Sequence, residues 1–109
     1  MATGTIKLNS PTIVQQQEDA NYERKILIKD GNLMHLHYER LEPVNNGTIV
    51  NSIPAQYVPS TSVSGSCWFY QNSGIGLINC YVLTNGTIRM SAKTYNDPVA
   101  GIFDIYWTI

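Results

Sequence analysis

Apolar and polar residues alternate along most of this chain in short runs, and Gly, Asn, Asp and Pro punctuate those runs at close spacing. A period of two marks strands with one buried face, and no stretch keeps the 3.6-residue period of a helix. The run that begins at Arg24 is broken by Asp30-Gly31-Asn32, which predicts a hairpin whose register decides what faces inward. A two-residue loop that sets Ile26 opposite His35 and Lys25 opposite Leu36 mixes polar and apolar groups on both faces. A three-residue loop pairs Ile28 with Met34, Ile26 with Leu36 and Arg24 with Tyr38, gathers one mostly apolar face, and is the register expected. Lys25, Leu27, Lys29, His35 and His37 then point outward.

Pro43 and Asn45-Asn46-Gly47 mark a turn, and Thr48-Ile49-Val50 a short strand. Pro54 and Pro59 rule out a helix or a central strand between Ser52 and Ser60, leaving a rigid connection anchored by Tyr57. In Ser66 to Gln71, Cys67 and Phe69 share one face and Ser66, Trp68 and Tyr70 the other, so both faces are expected to be covered. The clearest hairpin runs from Leu77 to Lys93 and turns at Thr84-Asn85-Gly86. A three-residue loop with Gly86 in the left-handed region pairs Val82 with Ile88, Cys80 with Met90 and Ile78 with Ala92, so every inward pair is apolar. At the end of the chain Phe103, Ile105, Trp107 and Ile109 oppose Asp104, Tyr106 and Thr108. About six to eight short strands without a helix predict an all-β antiparallel sandwich or barrel, jelly-roll-like, over residues 21–109. Residues 1–20 show no clear period and are expected to form an extended arm or neck that a partner orders.

Charge changes this picture more than composition does. From Pro43 through Ile88 there is no Asp, Glu, Lys, Arg or His, and charged residues make up only 14% of the 109, against roughly 25% in typical soluble domains. Acid–base catalysis, carboxylate or imidazole metal sites and phosphate clamps all need side chains that this run lacks. Lys7, Arg24, Lys25, Lys29, Arg40, Arg89 and Lys93 form no basic stripe, so nucleic acid is not an expected partner. The N-terminal residues do not read as a signal peptide, no segment approaches transmembrane length, and membrane insertion is not expected.

The remaining chemistry is neutral. The hairpin register places Tyr81 beside Arg89 and Asn79 beside Ser91 on the outer face, and with Trp68 and Tyr70 these are the candidate ligand-binding residues. Amides and hydroxyls suit sugar hydroxyls and aromatic rings suit the C–H faces of sugars, while packing in the core or between subunits is the competing reading for each aromatic. His35 and His37, two apart on a strand, lack a third ligand nearby and read as exposed, with a metal shared between subunits the one route left; no metal or cofactor is expected. Cys67 and Cys80 read as two buried thiols, with pairing left open. Asn46-Gly47-Thr48 and Asn85-Gly86-Thr87 match a glycosylation sequon but are better explained as turns. Ser64-Gly65-Ser66 and Gly74-Ile75-Gly76 lack the strand-to-helix setting of nucleophile or nucleotide motifs, and no enzyme activity is expected.

The order of elements is itself informative: the hairpin at Asp30-Gly31-Asn32, then Ile53-Pro54-Ala55-Gln56-Tyr57-Val58-Pro59, an aromatic strand, Thr84-Asn85-Gly86-Thr87-Ile88 and a terminal strand. Over Arg24 to Ile109 it resembles the C-terminal head domains of phage tail-tip receptor-binding proteins and tail fibres, particularly of phages infecting lactic acid bacteria and related Gram-positive hosts. The resemblance implies a homotrimeric β head at the tip of a virion, assembled in the host cytoplasm, that binds cell-wall saccharide and joins other tail or baseplate proteins. Val58 stands where Arg is common in that family, Asn79 and Tyr81 where some members carry His and Asp, and Ser91 near a Trp position, so the fold is expected to transfer further than the specificity. The alternative is a structural baseplate or fibre module that joins proteins without reading a sugar.

Overall fold

The computed structural model describes residues 10–18, 22–71, 74–92 and 98–109, with the backbone alone at Tyr70 and Gln71. Eight strands in these residues, β1 (Thr12–Glu18), β2 (Glu23–Asp30), β3 (Leu33–Val44), β4 (Ile49–Ser52), β5 (Val63–Gln71), β6 (Gly74–Val82), β7 (Thr87–Ala92) and β8 (Val99–Thr108), are joined by one short 3-10 turn, Ala55–Tyr57. They form two four-stranded antiparallel sheets, β1-β2-β3-β8 and β4-β7-β6-β5, packed as an all-β sandwich. The uncharged run supplies β4, β5, β6 and the start of β7, so nearly the whole second sheet is built without a charge.

Alternation places the core. Met34, Leu36 and Tyr38 of β3 and Phe103, Ile105 and Trp107 of β8 face Ile78, Cys80 and Val82 of β6 and Ile88 and Met90 of β7. Burying each such side chain contributes ~1.5–3 kcal/mol. The Ser52–Ser60 connection closes one end: Ile53 and Pro59 are buried, and Trp107 Nε1 donates to the Tyr57 carbonyl at 2.8 Å. The β6–β7 hairpin has the expected register, Val82 with Ile88, Cys80 with Met90 and Ile78 with Ala92, and Gly86 takes φ 88°.

The β2–β3 hairpin does not have the expected register. Its loop is Gly31-Asn32, and Leu27 pairs with Leu36, Lys25 with Tyr38 and Lys29 with Met34. Gly31, at φ 62°, occupies the first loop position, where the primed two-residue hairpin turns require a positive φ. His35 and His37 face outward as expected, but all of β2 is turned over: Lys25 and Leu27 point inward, and Arg24, Ile26 and Ile28 outward. The alternation of β2 misleads because two of its inward residues are charged. Glu23 is buried, accepting from the Tyr38 hydroxyl and from Arg40 Nη1 at 3.0 Å. Lys25, only 2% exposed, reaches across the sandwich to donate to Asn51 Oδ1 at 2.8 Å and the Ser52 carbonyl at 2.6 Å of β4. Burial pulls the Lys25 pKa below the ordinary lysine value, against the opposing pull of Glu23.

Residues 12–18 of the expected arm lie along β2 as an edge strand. A register shift between Ile13 and Gln15 resets the alternation there, which is why Gln15-Gln16-Gln17 shows no period in sequence. Both thiols are free; Cys80 is buried and its pKa is pushed up to about 12 by burial. Both sequons serve as turns: Asn46 exchanges two 3.0 Å hydrogen bonds with the backbone of Ala92, and Asn85 Oδ1 accepts from Thr87 N and Oγ1.

Candidate functional site

The outer face of the second sheet collects the residues singled out from sequence, because inward apolar residues on β5, β6 and β7 force their neighbours outward. Tyr81 pairs with Arg89, whose guanidinium carbon stands 5.5 Å from the centre of the Tyr81 ring, a cation–π contact. Asn79 pairs with Ser91 on one side and with Ser66 on the other, and Ser66 Oγ donates to Asn79 Oδ1 at 2.6 Å. That bond fixes the amide and directs its NH2 away from Ser66, so Asn79 keeps two donors for other partners. Ser66 is the member of this group that the sequence reading left out; its face had been identified, but its bond to Asn79 depends on β5–β6 register, which no sequence feature disclosed.

Trp68 is 71% exposed and pairs with Leu77, with Ile75 61% exposed on the same face. Four residues of β5 separate Trp68 from Ser64, the partner of Tyr81, so the ring stands about 13 Å along the strand from the Tyr81–Arg89 contact. The site is therefore a strip across three strands, with a cation and phenol at one end, amide and hydroxyl groups in the middle and an indole at the other. Tyr70 continues β5 opposite Ile75; its side chain lies outside the described residues. The outer side expected to be covered on β5 is open at Trp68 in the single chain.

A second constellation on the opposite face of the sandwich combines distant strands. Asp104 of β8 lies between the two histidines of β3: His35 Nε2 donates to its Oδ1 at 2.7 Å and His37 Nδ1 to the same oxygen at 2.8 Å. His37 Nε2 also donates to Glu39 Oε2 at 2.7 Å, and a ring that donates from both nitrogens is an imidazolium. Burial opposes that charge, but the bonds to Glu39 and Asp104 outweigh it and raise the pKa of His37 above the ordinary histidine value. Burial likewise works against the Asp104 carboxylate, and the two histidines more than reverse it, holding its pKa below the usual range. Arg24 extends the chain of charges, 3.7 Å from Glu39 and 2.9 Å from Glu18. The His35 ring stacks on Tyr106, centroids 4.3 Å apart and planes 15° from parallel.

The sequence showed His35 and His37 on one face and Asp104 on the outer side of the last strand, but not that β3 and β8 are neighbours. Among the described residues both imidazoles address carboxylates and neither addresses a hydroxyl or thiol, and no group of three or more His, Cys, Asp or Glu is arranged to hold a metal ion. No protein-family model and no curated protein matches this chain.

Proposed function

We propose that this chain is a non-catalytic recognition head that binds a neutral cell-surface saccharide on the outer face of its uncharged sheet. The observation that carries the reading is the exposure of Trp68 on the same face as the Ser66–Asn79 pair and the Tyr81–Arg89 contact. An exposed indole offers a stacking surface for an apolar ring face, and the neighbouring amide and hydroxyls offer hydrogen bonds without the desolvation cost of a charge. The resemblance to phage receptor-binding heads gives this chemistry a setting: a homotrimer at a virion tail tip, attached to other tail or baseplate proteins, with host cell-wall saccharide as ligand.

A second reading, a structural module that joins virion proteins through this face, is favoured by the apolar end of the strip, where Ile75 and Trp68 are exposed beside Leu77. Interface centres are depleted in charge, as this face is. The two readings separate in a pull-down of the protein with whole host cells and with purified wall polysaccharide. Trp68→Ala, Tyr81→Ala and Arg89→Ala should each weaken capture at least severalfold and leave the melting temperature nearly unchanged, because all three side chains face outward. Capture by neither target, together with stable assembly onto other tail proteins, rejects the saccharide reading.

A further inference from the structure

We propose, building on the saccharide reading of the uncharged sheet, that the middle of its strip reads an acetamido group, so that the ligand is an N-acetylated sugar. Ser66, Asn79, Trp68 and Leu77 together select that group over a bare hydroxyl or a free amine.

Donors outnumber acceptors on the strip. Asn79 Oδ1 accepts from Ser66 Oγ at 2.6 Å, which uses the Ser66 proton and turns the Asn79 NH2 away from β5. Among the described residues nothing accepts from that NH2. Arg89 on the same face has donors and no acceptor, and the exposed Trp68 indole can only donate. No carboxylate stands on β5, β6 or β7 to offset them. A carbonyl oxygen, a strong acceptor with no proton of its own, therefore matches this set better than a hydroxyl, which brings a donor for every acceptor.

Apolar surface lies beside the amide. Leu77 precedes Asn79 by two residues on the same face of β6, ~7 Å along the strand. Trp68 pairs with Leu77 as Ser66 pairs with Asn79, which makes Trp68 the diagonal neighbour of Asn79. That spacing, ~7–8 Å between backbones, is within reach of an aromatic side chain. An acetamido group carries a carbonyl and a methyl on one carbon: its oxygen accepts from the Asn79 NH2 while its methyl lies against the indole and the half-buried Leu77. A sugar hydroxyl meets only the first of these requirements. A protonated amine meets neither and adds positive charge to a face whose one described charge, Arg89, is already positive. Ser66 is the positioning residue, because without its hydroxyl the amide can rotate and present oxygen in place of NH2.

The test is an amide, side-chain NH2 and indole chemical-shift titration of the full chain with tri-N-acetylchitotriose, with cellotriose, which has a hydroxyl in place of each acetamido group, and with fully deacetylated chitotriose. The acetylated trimer should bind about tenfold tighter than cellotriose, the combined effect of one neutral hydrogen bond and one covered methyl. Its perturbations should centre on Ser66, Trp68, Leu77 and the Asn79 NH2, and the Trp107 indole, bonded to the Tyr57 carbonyl, should not move. The deacetylated trimer should bind no better than cellotriose. Ser66→Ala and Asn79→Asp should each erase most of the preference, and Ser66→Thr, which keeps the hydroxyl, should retain it; a merely structural role for Ser66 would weaken both neutral trimers alike. The wild-type ratio decides the matter even if a variant misfolds. Equal affinity for the two neutral trimers overturns the acetamido assignment and leaves the saccharide reading intact. Silence of the strip toward the acetylated trimer overturns the assignment too, and the saccharide reading is then decided separately by the capture of whole cells and wall polysaccharide.

Discussion

Replacing Leu27 and Ile26 singly by alanine tests the register of the β2–β3 hairpin, on which the inner and outer faces of the first sheet both depend. Leu27 is fully buried against β3 and the second sheet, whereas Ile26 points outward between Gln16 and His37 and is only partly covered. Truncating a buried leucine to alanine costs ~2–5 kcal/mol, the transfer of the lost methyl groups plus the cavity they leave. The packing around Leu27 comes from both sheets and has little freedom to collapse, so about 3 kcal/mol is expected. For a domain of this size each kcal/mol moves the melting temperature by ~4–8 °C, and Leu27→Ala should melt on the order of 10–20 °C below the parent. Ile26→Ala leaves no enclosed cavity and should cost less than about 1 kcal/mol. Urea unfolding at neutral pH, read by tryptophan fluorescence with the slope checked for constancy, gives both values. Equal costs, or a larger cost at Ile26, would refute the observed register and restore the three-residue loop expected from alternation.

His37 gives the stability a pH dependence of definite sign. Its folded pKa is raised, so its contribution is fully present below the unfolded value of about 6.5 and is lost as pH rises through the folded value; Asp104, with a depressed pKa, contributes above about 3.9 and loses that contribution on acidification. Melting temperature should therefore fall between mildly acidic and mildly alkaline pH in the parent and change less in His37→Gln; equal slopes would refute the imidazolium assignment. Gly101→Ala would place a Cβ 2.5 Å from Cys67 Sγ and 2.7 Å from Phe103 Cζ, where β8 meets β5. Overpacking of that kind costs ~1–3 kcal/mol, and chemical denaturation of a variant with unchanged stability would contradict the close approach of the two strands. Saccharide capture by the uncharged sheet should change little between low and physiological ionic strength, because neutral hydrogen bonds and stacking are barely screened; a steep salt dependence would point to an ionic ligand.

How much of this was legible depended on whether the pattern and the chemistry agreed. In β6 and β7 every inward residue is apolar, the loop carries a glycine where the turn needs one, and alternation alone yields the register and the outward set Asn79, Tyr81, Arg89 and Ser91. In β2 the inward set is Glu23, Lys25 and Leu27, and a rule that sends charge outward turns the strand over. Buried charges are rare enough that the rule is sound as a prior. It fails here because Tyr38, Arg40, Asn51 and Ser52, contributed by β3 and β4, satisfy the two charges, and no local window of sequence contains those partners. The His35–Asp104–His37 cluster was hidden for a related reason: its members lie 67 and 69 residues apart and meet only because the last strand pairs with the third.

Lys25 also explains how a sheet whose described inward residues carry no charge is held on its far side. Where β5 passes β8, the two sheets approach so closely that a Cβ at Gly65 would stand 2.9 Å from the Asp104 carbonyl oxygen and one at Gly101 would stand 2.5 Å from Cys67 Sγ. On the other side β4 is short, its pairing with β7 is interrupted between Ile49 and Asn51, and the Asn51 amide oxygen and the Ser52 carbonyl turn to Lys25 of the first sheet. An apolar residue at position 25 would leave the Ser52 carbonyl without its ammonium donor. The ammonium fills that role from the first sheet: one cation satisfies the Asn51 amide oxygen and the Ser52 carbonyl while the Asn51 amide nitrogen reaches Gln17 of β1 at 3.4 Å. The second sheet thus borrows its internal charge, and among the described residues its outer face carries only Arg89, seated over Tyr81. On the proposed reading, that division leaves the outer face of the second sheet, with Arg89 as its one described charge, to discriminate by shape and hydrogen bonding, while the first sheet supplies the internal charges that join the two sheets.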